Sequence, residues 1–110
     1  MEWSIVDVAR MSGITSRTLR HYDDIGLLRP AGTGSNGYRR YGQDELLRLQ
    51  RILVLRELGL GLPEIAAVVD ERRDRVEALR EHHERLLAER DRLSRVAATV
   101  ARTIAELEQS

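Results

Sequence analysis

From Val76 to the end of the chain, side chains of one register recur at alternating spacings of three and four. The positions are Val76, Leu79, His83, Leu86, Arg90, Leu93, Ala97, Val100, Ile104 and Leu107. In a helix, residues three and four apart share one side, so a repeat of seven sustained this long predicts the seam of a coiled coil. Val76, His83, Arg90, Ala97 and Ile104 take the a positions. The d positions, Leu79, Leu86, Leu93, Val100 and Leu107, are all apolar. Such a helix spans roughly 50 Å. A lone helix can fold back on its own domain, but the regularity of the heptads favours pairing with a second copy. The polar a residues then constrain direction. A parallel pair sets Arg90 against Arg90 and His83 against His83, which is unfavourable. An antiparallel pair sets each a position against a d position, so Arg90 lies over Leu93 with its head in water. The expectation is an antiparallel coil; the alternative is a flexible end using only part of the register.

The rest of the chain reads as globular. A length of 110 residues suits one domain, with a core small enough that a partner subunit helps stabilise it. The expected division is 1–71 for the globular part and 72–110 for the dimerisation helix. Ser4 precedes Ile5, Val6, Val8, Ala9 and Met11, and Gly13 follows: an N-cap, a short helix and a stop. Thr15 is a second N-cap. It opens a helix from Ser16 to about Ile25, with Leu19, Tyr22 and Ile25 at helical spacing and Gly26 as the stop. Two short helices joined by a Gly-containing turn form a helix-turn-helix, a weak signal taken alone.

Leu27-Leu28-Arg29-Pro30 and Tyr38-Arg39-Arg40-Tyr41 flank the turn-rich run Ala31-Gly32-Thr33-Gly34-Ser35-Asn36-Gly37. The flanks read as two strands of a hairpin, with Pro30 at an edge. A small hairpin after a helix-turn-helix is a wing. Gln43 to Leu58 predicts a third helix, with Gly42 as N-cap and Asp44 and Glu45 in the first turn, where the dipole favours acids. Its expected buried face is Leu46, Leu49, Leu53 and Ile52. Gly59 and Gly61 break it, and Pro63 begins a short fourth helix ending near Asp70. The fold class is therefore mainly α: a winged helix-turn-helix with a small β-hairpin, followed by a long helix forming an antiparallel coiled coil.

Net charge is zero, which does not announce a nucleic-acid binder. Distribution says more. Residues 1–60 hold nine Arg against seven acids, and residues 61–110 nine against eleven. Every basic residue is Arg. Genome composition accounts for most of that bias, so Arg position must carry the argument. Without Cys there is no disulfide, Cys-based metal site or thiol nucleophile. No run is long and apolar enough to cross a membrane and no signal peptide opens the chain, so the expected location is cytoplasmic. His82 and His83, adjacent on one helix, point to different faces, so no metal is expected, nor any cofactor. No His/Asp/Ser or paired-carboxylate arrangement suggests an enzyme.

The run Thr18-Leu19-Arg20-His21-Tyr22-Asp23-Asp24-Ile25-Gly26-Leu27-Leu28-Arg29-Pro30 resembles the helix-turn-helix signature of MerR-family transcription regulators. So do Gly37-Tyr38-Arg39-Arg40-Tyr41 and the stretch from Leu46 to Leu60 with its Arg56-Glu57-Leu58-Gly59. The resemblance covers the whole chain in order and is nearest to the TipA/Mta-like subgroup. It implies a homodimer, paired through an antiparallel coil of the last helix, on a near-palindromic operator in double-stranded promoter DNA. The family's operators usually lie in a spacer too long for RNA polymerase. Effector binding makes the dimer bend and untwist the DNA, which realigns the promoter elements and activates transcription.

The helix from Ser16 resembles the recognition helix, whose N-terminal part enters the major groove. Ser16, Arg17, Thr18 and His21 are the candidate groove residues. Arg17 can read a guanine edge or hold a phosphate. Arg20 and Tyr22 match positions that hold the DNA backbone or brace the fold, and the spacing of Tyr22 from Leu19 equally suits the core. In the wing, alternate residues face opposite sides. The comparison makes Arg39 and Arg40 phosphate partners and Tyr38 a donor to the DNA backbone, since two adjacent Arg on a short hairpin have no evident structural use. Arg56 can reach a flanking phosphate, or pair with Glu57 or another acid. Trp3 is expected to cover the first helix. An architectural DNA-binding factor is the competing function, and the heptad helix argues against it. A coiled-coil protein without DNA binding is the third, against which stand the wing and recognition helix. The family normally carries a metal loop or ligand domain after the coil, whereas this sequence stops within the heptads. A DNA-binding fragment and a naturally short member both fit, and either is expected to bind DNA without an effector.

Overall fold

The computed structural model describes residues 1–34 and 36–110; Ser35, in the expected turn of the wing, lies outside the described residues. The chain divides into two compact units, Met1–Arg72 and Arg73–Ser110.

The N-terminal unit begins with β1 (Trp3–Ser4), α1 (Ile5–Ser12) and α2 (Ser16–Asp24). Ser4 caps α1 by accepting the Asp7 N–H at 3.1 Å, and Thr15 caps α2 by accepting the Thr18 N–H at 3.0 Å. Between the helices Gly13 sits at φ 76°, a left-handed conformation that glycine adopts without a Cβ penalty. The turn α1–Gly13–α2 is thus dictated locally, by two side-chain caps and one glycine.

The end of α2 departs from expectation. Ile25 is the C-cap and is 48% exposed rather than part of the core. Gly26, at φ 75°, donates to the Asp23 carbonyl, and Leu27 reaches back to the Tyr22 carbonyl at 2.8 Å. This is a Schellman motif, in which the residue after the glycine closes apolar contact with the helix end. Leu27 and Leu28 are consequently buried core residues, not a strand. The wing's first strand is β2 (Gly32–Thr33), antiparallel to β3 (Arg39–Tyr41). A third strand was not anticipated: β1 pairs with the other edge of β3, Trp3 opposite Tyr41 and Ser4 opposite Arg40, giving the order β1-β3-β2.

α3 (Gln43–Glu57) and α4 (Leu62–Val69) complete this unit. Gly42 opens α3, its N–H donating to the Glu45 carboxylate at 2.9 Å. The buried residues of α3 are Leu49, Ile52 and Leu55, with Leu46 and Leu53 only half-buried, so the inward face is rotated from the expected one. A second Schellman motif ends α3: Gly59 donates to the Arg56 carbonyl and Leu60 to that of Leu55. Pro63 lies in the first turn of α4, where no intrahelical N–H is needed. The fully buried side chains are Val8, Leu19, Tyr22, Leu27, Leu28, Tyr41, Ile52 and Ile65. They come from every helix of the unit, from β3 and from the turn after α2, so one core positions helix and wing together.

The C-terminal unit is built on a single helix, α5 (Arg75–Gln109). The Asp74 carboxylate caps it by accepting the Val76 and Glu77 N–H groups at 2.7 and 3.1 Å. Along the heptad seam Leu86, Leu93, Val100, Ile104 and Leu107 are each about half exposed or more. Arg90 donates from two nitrogens to Asp91, and Arg92 forms a two-point bond with Glu89. Arg90, the charged residue of the seam, is thus held at the helix surface by Asp91, while every d position stays apolar. Among the described residues, no helix is long and apolar enough to cross a membrane.

Candidate nucleic-acid interface

α2 turns Leu19 and Tyr22 into the core, both essentially buried. At 100° per residue, the opposite side carries Arg17, Arg20, His21 and Asp24, all exposed. Ser16 and Thr18 lie half-buried on its flanks. The Thr18 hydroxyl is 3.0 Å from that of Thr15, which fixes the first turn of the helix. Of the residues named from the sequence, Arg17, Arg20 and His21 therefore share one outward face. Tyr22 does not: its ring is in the core, and its hydroxyl accepts a hydrogen bond from Arg56 at 3.2 Å. That bond is also the partner of Arg56, in place of Glu57 or another acid.

Wing geometry follows the alternation of β3. Tyr38 and Arg40 are exposed, Arg39 is half-buried and Tyr41 is fully buried. The loop is held by the Tyr38 N–H donating to the Asn36 side chain at 3.1 Å and by the Gly34 N–H donating to the Tyr38 carbonyl at 2.8 Å. Arg40 lies 3.9 Å from Glu2, a loose contact between exposed groups.

Arg39 behaves differently. Its Nε–H donates to the Asp23 carboxylate at 3.0 Å, bridging β3 to the last turn of α2. The hydrogen bond to Asp23 holds the guanidinium more firmly protonated than usual, against a smaller opposing effect of burial. An arginine of the wing thus has a structural partner that the sequence reading did not foresee. Tyr41, beside it in the strand, is pushed above the ordinary tyrosine range by burial, with Arg39 opposing.

Two residues of this region escaped the sequence reading. Asp23 carried one local signal: it is an acid in the last turn of a helix, where the dipole disfavours it without a compensating cation. Arg48 carried none. It donates to the Leu27 carbonyl at 2.7 Å, to the Val69 carbonyl at 3.4 Å and to the Asp70 carboxylate at 2.7 Å. It thereby ties the turn after α2 to the end of α4. Among the described residues, no group of three or more His, Cys, Asp or Glu is placed to hold a metal ion.

The arrangement of α1, α2, wing, α3 and α4 coincides with a known pattern. The profile of the MerR HTH family regulatory proteins matches residues 3–72. The chain belongs to the MerR family. It is 48% identical over 101 residues to the HTH-type transcriptional activator TipA of Streptomyces coelicolor, covering 91% of this chain and 40% of TipA. The structure resembles that of MtaN, the N-terminus of the Bacillus subtilis multidrug transporter activator, with a TM-score of 0.86 and 39% identity over 93% of this chain and 97% of that one. It also resembles EcmrR in an EcmrR–DNA complex, with a TM-score of 0.70 and 29% identity over 89% of this chain and 38% of that one. The winged helix-turn-helix fold and the TipA/Mta-like affinity read from the sequence are both upheld. These relatives are transcriptional regulators, not enzymes. The chain spans about two fifths of the length of the curated relatives it matches.

Proposed function

We propose that this MerR-family chain binds promoter DNA as a homodimer and distorts it to control transcription. One observation carries the reading: Arg17, Arg20 and His21 form a single outward face of α2, directly opposite its buried side. A helix displayed in this way, beside a wing bearing Tyr38, Arg39 and Arg40, suits insertion into a major groove with the wing on the flanking backbone. Ser16 and Thr18 flank the groove contacts, and Arg17 is the first candidate for a guanine edge. Arg39, Arg40 and Arg56 are phosphate partners, and Tyr38 donates to the backbone. Tyr22 acts through Arg56, whose guanidinium it holds. Residues 1–71 then serve as the DNA-binding part and 72–110 as the dimerisation part, with Val76, Leu79, His83, Leu86, Arg90, Leu93, Ala97, Val100, Ile104 and Leu107 in an antiparallel seam. RNA polymerase enters indirectly, through the geometry of the distorted promoter. That TipA and Mta are activators, and that EcmrR forms a complex with DNA, supports this function.

The test is selection of bound duplexes from a promoter pool at two salt concentrations, with sequencing of the bound fraction. An enriched inverted repeat with half-sites separated by whole helical turns is the expected outcome. Salt-sensitive binding with no enriched motif would instead indicate an architectural role. No binding would overturn both.

A further inference from the structure

Asp23 stands where neither its own helix nor a nucleic acid favours a carboxylate. It lies in the last turn of α2, beside the negative end of the helix dipole. It is also on the element proposed to approach a polyanion. Yet its side chain is only 22% exposed, and it accepts the Arg39 Nε–H at 3.0 Å across a separation of 16 residues. Arg39 belongs to β3, whose backbone is fixed on both sides by β1 and β2. With the strand fixed and Nε anchored, the long side chain keeps one orientation. The bond uses one of the five guanidinium donors, and the terminal amino groups retain theirs.

We propose that Asp23 is a positioning residue for DNA binding: it orients the Arg39 guanidinium so that the wing's phosphate contact and the groove contacts of α2 are made in a single register. This rests on the DNA-binding reading above. The physical gain is preorganisation. A free arginine loses rotamer entropy when it settles on a phosphate, whereas an arginine already held by Asp23 has lost most of it in the unbound protein. The pair also couples two DNA-facing elements directly, since Asp23 moves with the recognition helix and Arg39 with the wing.

Simple electrostatics predicts the opposite effect, which makes the proposal testable. Removing a carboxylate near DNA reduces repulsion and tightens binding. Asp44, in the first turn of α3, provides the control: it is exposed, lies on neither α2 nor the wing, and its substitution changes net charge equally. Affinity for the duplex enriched in the selection is measured across a salt series for wild type, Asp23→Asn, Asp44→Asn, Arg39→Ala and Asp23→Asn/Arg39→Ala, with thermal melts of each. Asp44→Asn is expected to bind as tightly as wild type or tighter. Asp23→Asn is expected to bind about three- to tenfold more weakly, with a salt slope lower by about one. Arg39→Ala is expected to lose about tenfold, equally on all sequences, and the double variant to lose no more than Arg39→Ala. A purely structural Asp23 lowers the melting temperature but leaves the slope intact, and that result overturns the proposal. So does an Asp23→Asn variant that binds as tightly as wild type or tighter. If Asp23→Asn melts below the assay temperature, Asp23→Glu replaces it. Weaker binding at unchanged charge supports the role, and unchanged affinity overturns it. Failure of wild type to bind any duplex overturns the DNA-binding reading itself and the proposal with it.

Discussion

Arg48 and Tyr41 show how much of this small domain rests on single side chains. Arg48 satisfies the carbonyls of Leu27 and Val69 and pairs with Asp70. Arg48→Met keeps the apolar stem but leaves those groups without their donor, so it should lower unfolding free energy by about 2 kcal/mol, read by urea denaturation. Tyr41 presents the reverse situation. Its hydroxyl is buried without a hydrogen-bond partner among the described residues. Tyr41→Phe should therefore match wild type at pH 7 or exceed it by up to about 1 kcal/mol. Burial raises the folded-state pKa of Tyr41 above its unfolded value. The stability linked to this group is accordingly complete below about pH 10 and lost as pH climbs through the folded value. Wild type should lose more stability than Tyr41→Phe between pH 9 and about pH 11; identical curves would show that the phenol ionises as easily folded as unfolded. None of these partners was legible in the sequence. Arg48 and Asp70 lie 22 residues apart and Arg39 and Asp23 lie 16 apart, and no periodicity links such pairs.

Elements were legible where their signals are local. The caps Ser4 and Thr15 and the stops Gly13 and Gly26 each act within one turn, so α1 and α2 were placed nearly to the residue. The wing's first strand was misplaced because Leu27-Leu28 followed by Pro30 has the composition of an edge strand. Closure of the Schellman motif onto Tyr22 decides otherwise. β1 escaped because a two-residue strand has no period to read. α4 ends with the same motif as α2 and α3, but with Glu71 rather than glycine in the left-handed position, at φ 57°. A side chain there is strained, by about 1 kcal/mol or more. Glu71→Gly relieves that strain against a larger entropy loss on folding, and the net gain should be about 0.5–1 kcal/mol. Thermal unfolding measures it, and a variant less stable than wild type would show that the Glu71 side chain contributes more than its backbone costs.

At the scale of the whole molecule, α5 poses the remaining physical problem. Its seam leaves Leu86, Leu93, Val100, Ile104 and Leu107 about half exposed or more. Covering such a stripe releases roughly 25 cal/mol for each Å² of apolar surface, and a second α5 presents the matching stripe. In an antiparallel pair with full overlap, the two-fold axis falls near the middle of Arg75–Gln109, close to Leu93. In that register Arg90 of each chain lies over Leu93 of the other, and Ile104 over Leu79. Ile104→Asp sets a carboxylate against an apolar leucine at two places in the seam at once. Sedimentation should show the variant as a monomer at concentrations where wild type is a dimer. The N-terminal unit, with its own core, should keep its near-ultraviolet signal. Operator affinity should fall about a hundredfold or more, because the second half-site is no longer presented at the effective concentration set by the first. Ile104→Leu, which keeps an apolar side chain of equal size, should retain both dimer and affinity. An Ile104→Asp variant that still sediments as a dimer would move the interface off this seam, and a monomer with undiminished affinity would mean that one winged domain suffices for the operator.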